Sequence, residues 1–162
     1  MDILERIDGL EAKFHEVSLL ITDPSVIADQ ARYVRLNREY RDLERVLASA
    51  EKYKKAVELL RNEEVIGMPT ETVYGLAGNA YSPLAVSRIF EAKGRPQDNP
   101  LIVHISEFSE IYDLVSEVPE IAKKLAEKFW PGPLTMILPK SEKVPSCVTA
   151  GLDSVAVRCP SH

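Results

Sequence analysis

The chain has 162 residues, 45% hydrophobic and 28% charged, with a formal net charge of −5. That length makes one domain or two small ones, and the apolar content supports a folded core rather than wholesale disorder. The acidic balance offers no general attraction to nucleic acid or anionic membrane, and no apolar run approaches the ~18 residues of a membrane span.

The N-terminal "MDILERIDGLEAKF" alternates acids with apolar residues and lacks the basic and apolar regions of a signal peptide. Two cysteines, Cys147 and Cys159, suit a reducing compartment better than a disulfide framework, so the expected location is the cytoplasm. Of the eleven prolines all but Pro24, and of the seven glycines all but Gly9, lie after position 65. These residues punctuate turns, so a long-helical first part, residues 1–62, should give way to a compact, loop-rich second part, residues 63–162.

In the first part Ile3, Ile7, Leu10, Phe14, Val17 and Ile21 step by three or four residues, the period of one helix face. "TDPS" breaks that helix. A second, longer helix carries Tyr33, Leu36, Tyr40, Leu43, Leu47, Ala50 and Val57 as a heptad seam, which predicts an antiparallel hairpin or short coiled coil. Arg32, Arg35, Arg38, Arg41 and Arg45 lie on the same helix. They read either as an RNA-facing stripe or as a solvated face on which Glu39, Asp42 and Glu44 pair with them at i,i+4.

The second part alternates strands and helices, the pattern of an α/β domain. "EVIGM" predicts a strand, and "PTETVYGL" after it gathers Thr70, Glu71, Thr72 and Tyr74 before Gly75. That cluster suits either a strand edge with a turn glycine or the wall of a site for a small polar molecule. Ser82 and Pro83 open a helix that Gly94 ends. In "KGRPQDNPL", Lys93 and Arg95 flank that glycine and Asn99 follows. Two cations on a turn hold phosphates well, or simply complement the helix dipole. "PLIVHI" predicts a strand in which alternation turns His104 away from the side of Val103 and Ile105, leaving it either a satisfied core histidine or a pocket residue. An amphipathic helix follows over "SEVPEIAKKLAEKFW", with Ile121, Leu125 and Phe129 as its apolar face. Two strands, "LTMILP" and "DSVAVRC", complete the pattern, and Arg158 stands near the end of the last. No P-loop occurs, and Cys147, Cys159, His104 and His162 lack metal-ligand spacing, so no protein-bound metal is expected.

Two resemblances span the chain. "MDILERIDGLEAKFHEVSLLITDPSVIADQARYVRLNREYRDLERV", continuing to about Leu60, resembles the N-terminal helical domain of bacterial class-1 peptide-chain release factors. That family's Gly-Gly-Gln motif is absent, so release activity is not carried over. "PTETVYGL", "IFEAKGRPQDNPLIVHI", "FWPGPLTMILPK" and "VTAGLDSVAVRCP" are similar, in order and spacing, to the YrdC-type L-threonylcarbamoyl-adenylate synthases.

The second resemblance implies a twisted mixed sheet with flanking helices. It also implies a nucleotidyltransferase that condenses L-threonine, bicarbonate and ATP, the last with Mg²⁺, into threonylcarbamoyl-AMP and pyrophosphate for a tRNA modification. By the same resemblance Thr72, His104 and Arg158 would hold L-threonine. Lys93 and Arg95 would act catalytically on the ATP phosphates together with Asn99, while Thr149 and Ser154 would serve the nucleotide. Binding of tRNA or other double-stranded RNA is implied as well. The chain stops before that family's "SAN" motif, so the expected sheet is incomplete and the expected turnover weak or absent. Both matches falling short of their active endings suggests a join of the start of one gene to an internal part of another. The alternative reading is a ribosome- or RNA-binding helical module, contacting its partner through residues 1–62, with a non-catalytic α/β fragment.

Overall fold

The computed structural model describes residues 3–71, 73–94, 96 and 98–161. The chain divides into two compact units, Met1–Glu58 and Leu59–His162. Among the described residues no helix is long and apolar enough to cross a membrane.

The first unit is built from α1 (Ile3–Leu20), a short α2 (Pro24–Ala28) and most of α3 (Gln30–Arg61). Asp23 caps α2 by accepting from the Ser25 amide at 2.8 Å, and Pro24 occupies its first turn, so the "TDPS" break contains a helical turn of its own. Leu36, Leu43 and Ala50 of the heptad seam are buried, and Val17, Val26, Leu36 and Leu43 form one apolar cluster with Phe14 and Tyr40 against it. Phe14 and Tyr40 stack at 4.7 Å between ring centroids. Lys13 meets Glu39 at 2.5 Å, whereas Lys54 meets Asp8 at 3.0 Å and Glu11 at 2.8 Å, so rising position on α1 matches falling position on α3. The helices are antiparallel, as the seam predicts.

In the second unit β1 (Ile66–Met68) and β2 (Gly75–Ala77) form an antiparallel hairpin. Gly75, expected as a turn or close-approach glycine, is instead a strand residue. Its φ is not positive, and a Cβ there would meet nothing within 4 Å. α4 (Pro83–Lys93) has the ends its sequence specifies. Ser82 accepts from the Ala85 amide at 3.2 Å and donates to Glu63 at 2.6 Å. Gly94 closes the helix at φ 58°, a conformation that costs other residues about 1 kcal/mol.

A mixed three-stranded sheet follows, in the order β3 (Ile102–His104), β5 (Ser154–Arg158), β4 (Thr135–Pro139). β3 runs parallel to β5, and β4 antiparallel to it. α5 (Ile111–Leu114), entered through a 3₁₀ turn at Phe108–Glu110, and α6 (Glu120–Phe129) lie between β3 and β4 in the chain. Alternation gives the sheet two unlike faces. Val103, Met136, Leu138, Val155 and Val157 enter the core with Val86, Phe90, Ile111 and Leu114, whereas the partner positions carry His104, Arg158, Thr135, Ala156 and Ile137. On α6 the core contact is made by Ala122 and Ala126, with Leu125 partly buried, while Ile121 and Phe129 remain 64% and 47% exposed. The expected apolar face is therefore rotated toward the small residues, which let the helix lie close.

Candidate functional site

His104 and Arg158 end the two parallel strands and are register partners, so their side chains emerge together from the face of the sheet that avoids the core. Thr135 is Arg158's register partner on the other side. His104 and Arg158 line a cavity of about 730 Å³, within the size range of sites that take a small molecule or cofactor. Lys93, at the end of α4, lines the same cavity, as do Thr70 and Gly75 of the hairpin.

The hairpin loop closes on this group. Thr70 accepts from the Val73 amide at 3.3 Å and donates to the Val73 carbonyl at 2.8 Å, bending the loop back on itself. Glu71 then reaches Arg158, with 2.6 Å between Oε1 and Nη2 and both side chains largely shielded from solvent. Arg158 hydrogen-bonding holds the Glu71 carboxyl below its ordinary value, so it is charged at neutral pH. Burial, helped by the neighbouring Arg158 charge, pushes His104 below its own ordinary value, so it is a neutral imidazole there. The site thus presents a guanidinium, a carboxylate and a neutral donor–acceptor ring.

Of the residues expected to hold L-threonine, His104 and Arg158 are brought side by side, and Thr72 lies outside the described residues. Of those expected to hold the nucleotide, Lys93 lines the cavity and Arg95 lies outside the described residues. Asn99 is exposed near the start of the segment leading to β3. Ser154 begins β5, four residues and roughly 13 Å of strand from Arg158. Thr149 is fully buried, and its hydroxyl donates to the Leu152 carbonyl at 2.8 Å, so its side chain braces the "VTAGLD" turn. Two neighbours of Arg158 carried no assigned role in the sequence. Glu71 was visible as a carboxylate in a hydroxyl-rich loop, while Thr135 depended on a strand register that no short-range signal encodes.

Residues 58–162 match the profile of the Sua5–YciO–YrdC family, described as telomere recombination. The chain belongs to that family. As a family member it is 58% identical over 107 residues to the threonylcarbamoyl-AMP synthase of Pyrococcus abyssi, a match covering 66% of this chain and 32% of the synthase. To the Bacillus subtilis threonylcarbamoyl-AMP synthase it is 56% identical over 108 residues, covering 66% and 31%. The matched region of the chain thus spans about a third of the length of these relatives. Among solved structures, Pyrococcus abyssi Sua5 complexed with L-threonine superposes with a TM-score of 0.65 at 58% identity, covering 66% of this chain and 32% of that one. Escherichia coli YciO superposes with a TM-score of 0.59 at 27% identity, covering 66% and 52%. The matched part of the chain therefore carries the mixed sheet with flanking helices of these neighbours, and in this chain a helical region precedes it.

Proposed function

We propose that residues 63–162 form the substrate-binding part of an L-threonylcarbamoyl-adenylate synthase, which joins L-threonine, bicarbonate and ATP into threonylcarbamoyl-AMP and pyrophosphate for tRNA modification. The observation that carries this reading is the pairing of His104 with Arg158 on the wall of a cavity that also takes Lys93. Arg158 receives the amino acid's carboxylate, since a guanidinium fork matches its two oxygens. His104 and Thr72 hold the remainder of the threonine. Lys93, Arg95 and Asn99 grip the phosphates of ATP, which arrives with Mg²⁺, Ser154 supports the nucleotide end, and Thr149 serves it indirectly by bracing the turn before Ser154. The reaction assembles anions, so fixed cations and hydrogen-bond donors supply most of the catalysis by orientation and charge stabilisation.

The test is calorimetry on this chain with L-threonine, ATP–Mg²⁺ and both together. Saturable binding of each is expected, with Lys93→Ala weakening ATP about tenfold while leaving threonine unchanged, the loss of one charge-assisted contact. Failure of the chain to bind either substrate rejects the reading.

For residues 1–62 we propose a release-factor-like helical module that contacts an RNA or ribosomal surface. The supporting observation is that Arg38, Arg41 and Arg45 are all exposed, while Glu39 is drawn to Lys13 and none of the three arginines joins an ion pair with another described residue. Co-sedimentation of the chain with ribosomes is expected, falling severalfold in an Arg38→Ala/Arg41→Ala/Arg45→Ala variant and with rising salt. Equal pelleting of the two proteins would dismiss the module's role.

A further inference from the structure

We infer that Glu71 is a specificity residue of this site: with Arg158 it forms a preset pair of opposite charges that selects a free, zwitterionic α-amino acid, Arg158 taking the carboxylate and Glu71 the α-ammonium. The inference rests on the proposed amino-acid site and deepens it.

The geometry is direct. Glu71 lies 2.6 Å from the same guanidinium that would bind the ligand's carboxylate, and the pair is shielded, with side-chain exposures of 19% and 9%. A ligand bringing only a carboxylate would add a second negative charge beside Glu71 or have to break the existing pair, and both are unfavourable where water is scarce. A zwitterion brings its own cation a few ångströms from its carboxylate. It can therefore place each end on its opposite, leaving the site's net charge unchanged.

Among the described residues no other acid forms an ion pair with Arg158. His104, the register partner of Arg158, is neutral. Glu71 adjoins the cavity through Arg158, and the acids that line the cavity are occupied, Glu110 by the Ser106 amide and hydroxyl at 2.7 and 3.0 Å and Asp113 by Lys143 at 2.5 Å. Glu71 is held on Arg158 by a loop braced at Thr70, so its carboxylate is in position before a ligand arrives. Its lowered pKa makes it a poor proton acceptor and a good charge partner. An amino acid whose nitrogen has become part of a carbamoyl group no longer carries the cation, so the same carboxylate favours entry of the free amino acid over retention of the N-acylated one.

Calorimetry with L-threonine, its 2-hydroxy analogue 2,3-dihydroxybutanoate and N-acetyl-L-threonine tests this on the native chain, Glu71→Gln and Glu71→Asp. The native chain should favour threonine over both analogues by roughly ten- to a hundredfold, the value of one charge-assisted contact. Glu71→Gln should weaken threonine and tighten the analogues, closing most of that gap, and Glu71→Asp should keep the preference. Equal binding of threonine and its hydroxy analogue by the native chain would overturn the role of Glu71 while leaving the threonine site standing. So would a Glu71→Gln chain whose threonine affinity is unchanged or improved, which would make Glu71 a mere competitor for Arg158. If other free α-amino acids bind better than threonine with the same dependence on Glu71, the zwitterion role holds and the threonine assignment fails. A chain that binds none of these ligands refutes both.

Discussion

Arg158→Gln is expected to lower L-threonine affinity about 10- to 100-fold while leaving ATP binding within about twofold. Glutamine keeps much of the side chain's length and one amide donor but loses the charge and the two-pronged fork that match a carboxylate. The substitution also leaves Glu71 against a neutral neighbour, since Oε1 loses the guanidinium now 2.6 Å away. A charge deprived of its partner in a shielded position costs more than the intact pair contributes. The single variant should therefore unfold at lower urea than the native chain, and adding Glu71→Gln should restore part of that loss. Threonine affinity unchanged by Arg158→Gln would remove the carboxylate from this arginine and place it elsewhere on the cavity wall. A double variant no more stable than Arg158→Gln alone would mean that the pair's cost lies in packing rather than charge.

Ile111→Ala should destabilise the α/β unit by about 3–4 kcal/mol, read as a shift in urea midpoint at unchanged slope. Ile111 is completely buried, at the first turn of α5, and belongs to the core cluster that also contains Val103 and Val157. Removing three carbons there leaves a cavity among neighbours that a four-residue helix cannot easily move to fill. Exposed Ile121 on α6 provides the contrast, since its replacement by alanine should cost well under about 1 kcal/mol. Similar losses at the two positions would show that the core is not where its burial puts it.

The contrast between those isoleucines marks what could be read in advance. Long helices were legible because their period repeats, so the seam through Leu36, Leu43 and Ala50 follows directly from the sequence. The ends of α4 were legible too, because Ser82, Pro83 and Gly94 act through local backbone geometry. α5 was not, since four residues span barely one turn and leave no period to detect. On α6, Ile121 and Phe129 drew attention by size, but what faces the core depends on how closely the helix packs, and alanines allow the closest approach. β2 hid inside a polar motif because "GLA" has weak strand character and owes its pairing to β1. In the site, alternation separated His104 from Val103 and Ile105, but its meeting with Arg158 required the β3–β5 register. The Glu71–Arg158 pair lay further out of reach, since a loop contact between distant residues carries no local signature.

The strand order has a consequence for how the protein comes into being. β5 is the central strand and the later-made partner of both β3 and β4, pairing Ile102 with Ala156 and Ile137 with the same residue. As the polypeptide leaves the ribosome, β3 and β4 lack their common described strand partner until residues 154–158 emerge. Long-range parallel pairing of this kind is slow, because a large loop must close before any contact rewards it. His104 gains its neighbour Arg158 in that same step, so this three-stranded sheet and the His104–Arg158 pairing arise together, and a nascent chain halted before Ser154 has neither.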